Sequence, residues 1–306
     1  MLAKLSQRPE WPGNVEGGSD MHRRVLAIIM GFAMLWPGLC LAAIIGPTND
    51  WMPLRTGARQ LGISSRMVQR ILDAGVAMSC PGTVHSNGGT LNGWFLGDDA
   101  SSFYTNAHGI IDIGADRRSN FIEPLDKCQV HSYRDLVASG IKAAAYDLDL
   151  PKNRNQLALA TLQPQGDSPG QDRARLRLLR SIAGAKALPL PDFNRIKLAV
   201  GQQVIMVSVQ PPAMRSPEIQ ACRIQSINLS RAGPGQLFTD CDNSFGNSAG
   251  LYFVRDPADP TNLLPIALHE GCHEKLGDHR GWNLEDNTAL AIMLRSSFFS
   301  FPRRAS

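Results

Sequence analysis

Short apolar runs separated by turn-forming residues are the feature that most restricts how this chain can fold. The runs lie between clusters of Gly, Pro, Asn and Asp, and they include 93–97, 103–104, 157–162, 204–209, 251–254 and 263–268. A helical protein would instead carry longer stretches with apolar residues at every third or fourth position. Many short β-type runs with frequent turn signals predict an all-β protein, built as a barrel or a sandwich.

Two segments depart from this pattern and divide the chain. The spacing of apolar residues predicts one N-terminal helix around Ser64–Ala77. A Gln-, Pro- and Gly-containing stretch followed by the basic residues Arg173 to Arg180 predicts a connector whose charges form a solvated helix face. The predicted organisation is a lead-in (44–78), a first β-barrel (79–165), a connector (166–195) and a second β-barrel (196–300).

The N-terminal region has the composition of an export signal. Basic residues at 22–24 precede an uncharged stretch, Val25–Gly46, with small residues near its end. We predict a leader over residues 1–43, with the signal peptide from about residue 21, and a secreted or periplasmic product. The alternative is a retained membrane anchor, since about 20 apolar residues can span a bilayer. Pro37-Gly38 and the Ala pair favour cleavage, which predicts no stable membrane association afterwards.

Charge and cysteine content restrict the partners and the compartment. The chain has 31 Lys plus Arg against 27 Asp plus Glu and no long basic block, which argues against nucleic acid as a partner. Of its six cysteines, Cys40 lies in the leader. Chain order suggests Cys80 with Cys128 and Cys222 with Cys241, although spacing does not fix connectivity and Cys272 is left over.

Two short segments carry the residues needed for nucleophilic catalysis. Ser248 lies in a Gly-flanked turn within Cys241–Phe253, and His108 follows a β-type run. Gly246, two residues before the serine, allows consecutive backbone N–H groups to face one concavity, as a tetrahedral oxyanion requires. Serine is a poor nucleophile without a neighbouring base, and His108 is the candidate for that base.

These segments resemble the motifs of the trypsin/chymotrypsin-like serine peptidases, in particular the bacterial glutamyl-endopeptidase-like branch. Thr105–His108 matches Thr-Ala-Ala-His, and Gly246–Gly250 matches Gly-(Asp/Asn)-Ser-Gly-Gly, with Ala249 as the departure. The resemblance covers most of residues 75–297 and implies two six-stranded antiparallel barrels in a monomer that cleaves proteins or peptides. It implies an acyl-enzyme formed by Ser248 and His108, an oxyanion hole from the N–H groups of Gly246 and Ser248, and no cofactor or metal.

The third member of the family's triad is an Asp that opens an Asp-(Ile/Leu)-Ala-Leu-Leu strand. The matching segment here is Asn155–Leu162, which places Gln156 where the Asp is expected. Glutamine can hold an imidazole but supplies no charge to stabilise the imidazolium. Asp149, seven residues before Gln156, is the candidate in its place, ahead of Asp147.

The resemblance also suggests where the substrate side chain binds. Asp242 lies six residues before Ser248, and His269 lies on the predicted strand after the nucleophile. In the glutamyl-specific branch a His at such a place helps to bind an acidic side chain. The alternative is a structural Asp at a turn and an exposed His.

Other functions are open to the same residues. His269-Glu270-Gly271-Cys272-His273 is a literal H-E-x-x-H, with His279 as a third ligand, so on a helix it would predict a zinc peptidase. The serine motif also fits the α/β-hydrolase elbow, but a β-type run rather than a helix follows it. Gln156 favours a third alternative, a pseudopeptidase that binds a partner without cleaving it.

Overall fold

The helices in the described part of the chain pack against the strands of two β-sheets, and they meet the first sheet at one end. The computed structural model describes residues 50–80, 89–107, 111–113, 119–121, 129–139, 157–163, 172–178, 180–209, 216–229, 235–242, 247–273, 288–295 and 298–299. Within these ranges the helices are α1 (Leu54–Gln60), α2 (Ser65–Ala74) and α3 (Tyr133–Ser139). The predicted N-terminal helix is confirmed as α2, and the Ser64 hydroxyl caps it by accepting from the Met67 N–H.

The first sheet consists of six antiparallel strands: β2 Gly75–Cys80, β3 Gly89–Trp94, β4 Ser102–Thr105, β7 Gln129–Ser132, β8 Leu157–Gln163 and β9 Arg173–Leu178. Their order in the sheet is β7-β2-β3-β4-β9-β8. A separate two-stranded sheet joins β5 (Ile111–Ile113) to β6 (Ser119–Phe121). Side chains from β2, β3, β4, β7 and β9 form one apolar core that includes Val76, Met78, Phe103, Val130 and Leu176.

The second sheet closes on itself as a barrel. Its strands are β10 Gln203–Val209, β11 Pro217–Asn228, β12 Gln236–Thr239, β13 Leu251–Asp256, β14 Asp259–His273 and β15 Thr288–Met293, with β1 (Met52–Pro53) added beside β11. The order β11-β10-β13-β14-β15-β12 is completed by the pairing of β11 with β12. When the six strands of each sheet are numbered 1 to 6 along the chain, the first sheet reads 4-1-2-3-6-5 from β7 to β8. The closed second sheet gives the same order when it is read from β13 through β10, β11, β12 and β15 to β14. This repeated order confirms the predicted fold, all-β with two chymotrypsin-like halves.

A core distinct from the two sheet interiors joins the halves. It contains side chains from β3 and β4 of the first sheet together with side chains from β10 and β13 of the second. Trp94 lies at its centre, edge-on to Tyr133 at 5.2 Å and to Phe253 at 6.1 Å between ring centroids. Edge-to-face aromatic contacts of this kind stabilise the association beyond the area they bury.

The predicted connector contains a strand of the first sheet. Arg173–Leu178 is β9, not a solvated helix face, because Ala174, Leu176 and Leu178 alternate with arginines and enter the first core. The period of two, rather than the charge, is the decisive signal in this segment. The first sheet therefore extends to Leu178, beyond the predicted boundary at 165.

One predicted disulfide is confirmed. Cys222 on β11 is bonded to Cys241 after β12, with their Cα atoms 5.1 Å apart. The side chains of the other cysteines lie outside the described residues. The predicted Cys80–Cys128 bond therefore stays a prediction.

Across the ranges that the structure describes, no helix has the length and apolar character needed to span a membrane.

Candidate active site

The predicted nucleophile lies in a tight turn between β12 and β13. Ser248 is partly exposed, while Asn247, Ala249 and Gly250 are buried. Ala249 has φ of 58°, in the left-handed region that costs a residue with a Cβ about 1 kcal/mol. A Cβ on Gly250 would lie 2.7 Å from Met206 Cε and 3.0 Å from Asn247 O, so a larger residue there would have to displace its neighbours. Backbone strain held by its surroundings is typical of functional turns.

The turn is hydrogen-bonded to the first half of the chain. The backbone N–H and the side-chain amide of Asn92 on β3 both donate to the carbonyl oxygen of Ser248, at 2.9 and 3.1 Å. Trp94 Nε1 donates to the carbonyl oxygen of Ala249 at 2.7 Å. The nucleophile turn is therefore held by β3, although it belongs to the second half. No sequence motif marks Asn92 or Trp94, and sequence analysis missed both.

The strand that leads to the predicted base is fixed on two sides. His108 and the loop after it lie outside the described residues, but β4 and residues 106–107 are described. Thr105 Oγ1 donates to the carbonyl oxygen of Asn92 at 2.7 Å, and Asn106 Nδ2 donates to the carbonyl oxygen of Asp172 at 3.0 Å. The residues just before His108 are thus bonded both to β3, which also holds the nucleophile turn, and to the start of β9.

Asp172 is a carboxylate that sequence analysis missed. It immediately precedes β9, and β9 pairs with β4 through Thr105 opposite Ala174. Continuing this antiparallel register by two residues places Ala107 opposite Asp172. Asp172 is only 1% exposed, and a carboxylate is buried so deeply only where partners compensate its charge. The available signal was an Asp directly before an alternating strand, the same form as the family's carboxylate motif.

The segment that the sequence matched to the carboxylate-bearing strand does not border β4. It forms β8, which pairs with β9 and ends the order of the sheet. The strand beside β4 is β9, and the residue before it is Asp172 rather than Gln156. Asp149 and Gln156 lie outside the described residues, so the assignment of Asp149 stays a prediction.

Asp242 is buried at the junction with the lead-in. It is 2% exposed, and its Oδ2 accepts a hydrogen bond from the backbone N–H of Asp50 at 2.9 Å. The Gln220 side chain bonds both its backbone N–H, at 3.0 Å, and its carbonyl oxygen, at 2.7 Å. The carboxylate therefore helps to attach the N-terminal segment to the second barrel.

His269 is buried inside the second barrel, next to the nucleophile turn. Its backbone N–H donates to Gly250 O at 2.7 Å, and its carbonyl oxygen accepts from Ala249 N at 2.8 Å. Its side chain is 2% exposed, which corrects the alternative of an exposed histidine. Nδ1 lies 3.1 Å from the hydroxyl of Tyr252, whose pKa is raised by burial. The neutral phenol is therefore available as a hydrogen-bond partner that fixes the ring.

The H-E-x-x-H segment is not helical, so the basis for a zinc site is wrong. His269 to His273 belong to β14, with a bulge between His269 and Gly271. Residues four apart lie about 13 Å apart along a strand, compared with about 6 Å along a helix. Among the described side chains, no group of three or more His, Cys, Asp and Glu residues could hold a metal ion. His279 lies outside the described residues.

Comparison with known proteins bears on the fold only. No protein-family model matches the chain, and no curated protein sequence matches it. Among solved structures, the chain is similar to the active form of the Rv3671c protease from M. tuberculosis, with 12% sequence identity and a TM-score of 0.47. The similarity covers 85% of this chain and 89% of that one. The fold assignment rests on the strand order of the two sheets.

Proposed function

We propose that the protein is an exported serine endopeptidase that cleaves proteins or peptides through an acyl-enzyme. One observation carries the proposal: β3 is hydrogen-bonded both to the Ser248 turn and to β4. It holds the Ser248 turn through Asn92, and it holds β4, which leads to His108 and lies beside Asp172. The turn with the candidate nucleophile, the strand that leads to the candidate base and the candidate carboxylate before β9 are therefore connected through one sheet, which supports nucleophilic catalysis.

In the proposed reaction, His108 accepts the proton of Ser248 Oγ as the oxygen attacks the scissile carbonyl. The N–H groups of Gly246 and Ser248 stabilise the oxyanion, and His108 then protonates the leaving amine. Asp172 takes the place that sequence analysis gave to Asp149: it orients the imidazole and stabilises its cationic form. Water releases the acyl group by the same steps in reverse order.

The substrate side chain is assigned to the region of His269 and Asp242. His269 is bonded through its backbone to the turn that carries Ser248, so a side chain held near it lies close to the bond that is cut. An imidazole N–H can donate a hydrogen bond to a carboxylate, which supports a preference for acidic residues. Asp242 stabilises this region through its hydrogen bonds with Asp50 in the lead-in and with Gln220.

The pseudopeptidase alternative loses its main support. It depended on Gln156 occupying the place of the orienting carboxylate, and β8, which follows Gln156, does not lie beside β4. The strand that does lie there is preceded by a carboxylate. This favours a catalytic peptidase over a pseudopeptidase that binds a partner without cleaving it.

A fluorophosphonate probe tests the proposal directly. Labelling confined to Ser248, lost in Ser248→Ala and His108→Ala and insensitive to chelators, would support it. Unlabelled protein with chelator-sensitive proteolysis would point to zinc, and unlabelled protein without any hydrolysis would point to a pseudopeptidase. Cleavage of peptides that differ only in a Glu, Leu or Lys before the scissile bond tests the specificity, with His269→Leu expected to reduce the preference for Glu.

A further inference from the structure

Asn92 uses its entire hydrogen-bonding capacity at the junction of the two halves. Its amide nitrogen donates to Ser208 Oγ at 3.0 Å and to the Ser248 carbonyl at 3.1 Å. Its amide oxygen accepts from the Val209 N–H at 2.8 Å and from the Tyr133 hydroxyl. An amide has two donors and two acceptor sites, so this side chain is satisfied in one orientation only.

The same cluster continues into the nucleophile turn. Ser208 Oγ also accepts from Asn247 Nδ2 at 2.9 Å, so the residue before Ser248 is held by the same hydroxyl that Asn92 contacts. The carbonyl after Ser248, that of Ala249, is fixed by Trp94. Asn92, Asn247 and Ser208 are fully buried, and a buried network with every member bonded is rigid.

The turn needs this support because its backbone is strained. Ala249 holds a left-handed conformation, in a position where the family's motif has glycine. A strained conformation persists only where the surroundings determine it from several sides. The carbonyl oxygens of Ser248 and Ala249 are both bonded from β3, and these bonds join residues 156 and 155 positions apart in sequence.

We propose that Asn92 is a positioning residue: it fixes the Ser248 backbone so that the hydroxyl points at the base, and Trp94 assists it through Ala249. This inference rests on the proposed function. Asn92 touches neither substrate nor reacting atoms and acts through the turn. A displacement of about 1 Å in a reacting group can cost about a hundredfold in rate.

Two substitutions of Asn92 isolate its donors. Asn92→Asp keeps an oxygen for Val209 and Tyr133 but replaces the donor that faces the Ser248 carbonyl with an acceptor. Asn92→Ala removes every side-chain bond and leaves the backbone N–H bond to Ser248. We expect kcat to fall about ten- to hundredfold in both, with KM within about twofold of wild type, and the rate of fluorophosphonate labelling to fall by the same factor.

A matched control separates positioning from general loss of stability. Arg255 donates to the carbonyl oxygens of Pro260 at 2.7 Å and Leu61 at 2.5 Å, away from the nucleophile turn. Arg255→Met therefore removes two side-chain-to-backbone bonds and should leave kcat unchanged. The pH at which kcat/KM is half-maximal should also stay unchanged in the Asn92 variants, because the base and its carboxylate are untouched.

Hydrogen exchange decides the inference independently of catalysis. The Ala249 amide donates to His269 O on β14 and the Gly250 amide donates to Asn247 O, and in Asn92→Ala both should exchange at least tenfold faster than in wild type. If the Asn92 variants do not fold, Trp94→Phe takes their place; it removes the N–H donor to Ala249 together with part of the buried ring. Wild-type kcat, labelling and exchange in folded variants would overturn the inference, as would equal losses in Arg255→Met. Absence of labelling in wild type would overturn the proposed function instead, with exchange still deciding the role of Asn92.

Discussion

β8 and β9 are neighbouring strands of one sheet with opposite compositions. β8 is Leu-Ala-Leu-Ala-Thr-Leu-Gln, whereas β9 is Arg-Ala-Arg-Leu-Arg-Leu. By apolar content β8 is the better candidate for the strand beside a buried catalytic centre, yet β9 is the one that pairs with β4. The difference shows that the place of a strand in the sheet, rather than its hydrophobicity, decides which preceding residue lies beside β4.

A strand with three arginines can occupy that place because aromatic rings cover its outer face. The Arg173 guanidinium lies 5.5 Å from the ring centroid of Phe298, and that of Arg175 lies 5.7 Å from the ring of Tyr104. Arg175 also pairs with Asp99 at 3.2 Å. Long basic side chains bury their stems and stack their charged ends on such rings, so the charge of β9 does not force it to an edge.

The largest expected effect tests which carboxylate belongs to the site. Asp172→Asn should reduce kcat about ten-thousandfold, because a neutral amide neither stabilises the imidazolium nor selects the productive tautomer. Asp149→Asn should stay within about threefold of wild type. Steady-state kinetics on purified variants measure both. The opposite ranking would restore Asp149 and show that the order of β8 and β9 does not determine the triad.

Removing an aromatic ring that covers β9 is expected to have the next largest effect, on stability. Phe298→Ala should lower the free energy of unfolding by about 3–5 kcal/mol, because the ring is fully buried against Tyr104 and Arg173. Phe298→Leu, the matched control, should cost less than about 1.5 kcal/mol. Urea unfolding measures both. Hydrogen exchange should rise more in peptides from β9 than in those from β8, and equal increases would contradict the assigned cover.

The other end of the first sheet should respond to pH, unlike β9. His131 on β7 is 1% exposed, and its ring nitrogens have no hydrogen-bond partner among the residues that the structure describes. Burial lowers its pKa even though Asp135 acts in the opposite direction. The unfolded state therefore binds the proton more readily, so stability is complete above about pH 6.5 and is lost as the pH falls below it. The slope should approach about 1.4 kcal/mol per pH unit. His131→Leu should flatten this part of the curve, and an unchanged slope would assign it to other groups.

The smallest expected effect tests the comparison of β8 with β9 most directly. Gln156→Asp restores the acidic residue that the sequence match demanded, but it does so before β8. We expect kcat and KM to remain within about twofold of wild type. In the Asp172→Asn background it should recover no activity. A recovery there would mean that residue 156 reaches the base after all.

Sequence patterns predicted the parts of this molecule that depend on local order. The all-β class and the N-terminal helix follow from apolar spacing and turn signals, and chain order suggested the Cys222–Cys241 bond. The structure confirms all three. Asp172 was missed because the arginines after it suggested a solvated helix, and only the pairing of β9 with β4 places it beside the strand that leads to His108. Asn92 was missed for a different reason. Its partner Ser248 is 156 residues away, and no local pattern records such a contact.

The bonds from β3 to the nucleophile turn have a consequence for the timing of activity during biosynthesis. The first sheet is synthesised before the turn that it holds, and the turn acquires its bonds to Asn92 and Trp94 only when the second half has been made and has docked. On the proposed function, we expect a polypeptide still emerging from the ribosome or threading through an export channel to be inert. Digestion of the producing cell would then be avoided by the order of assembly.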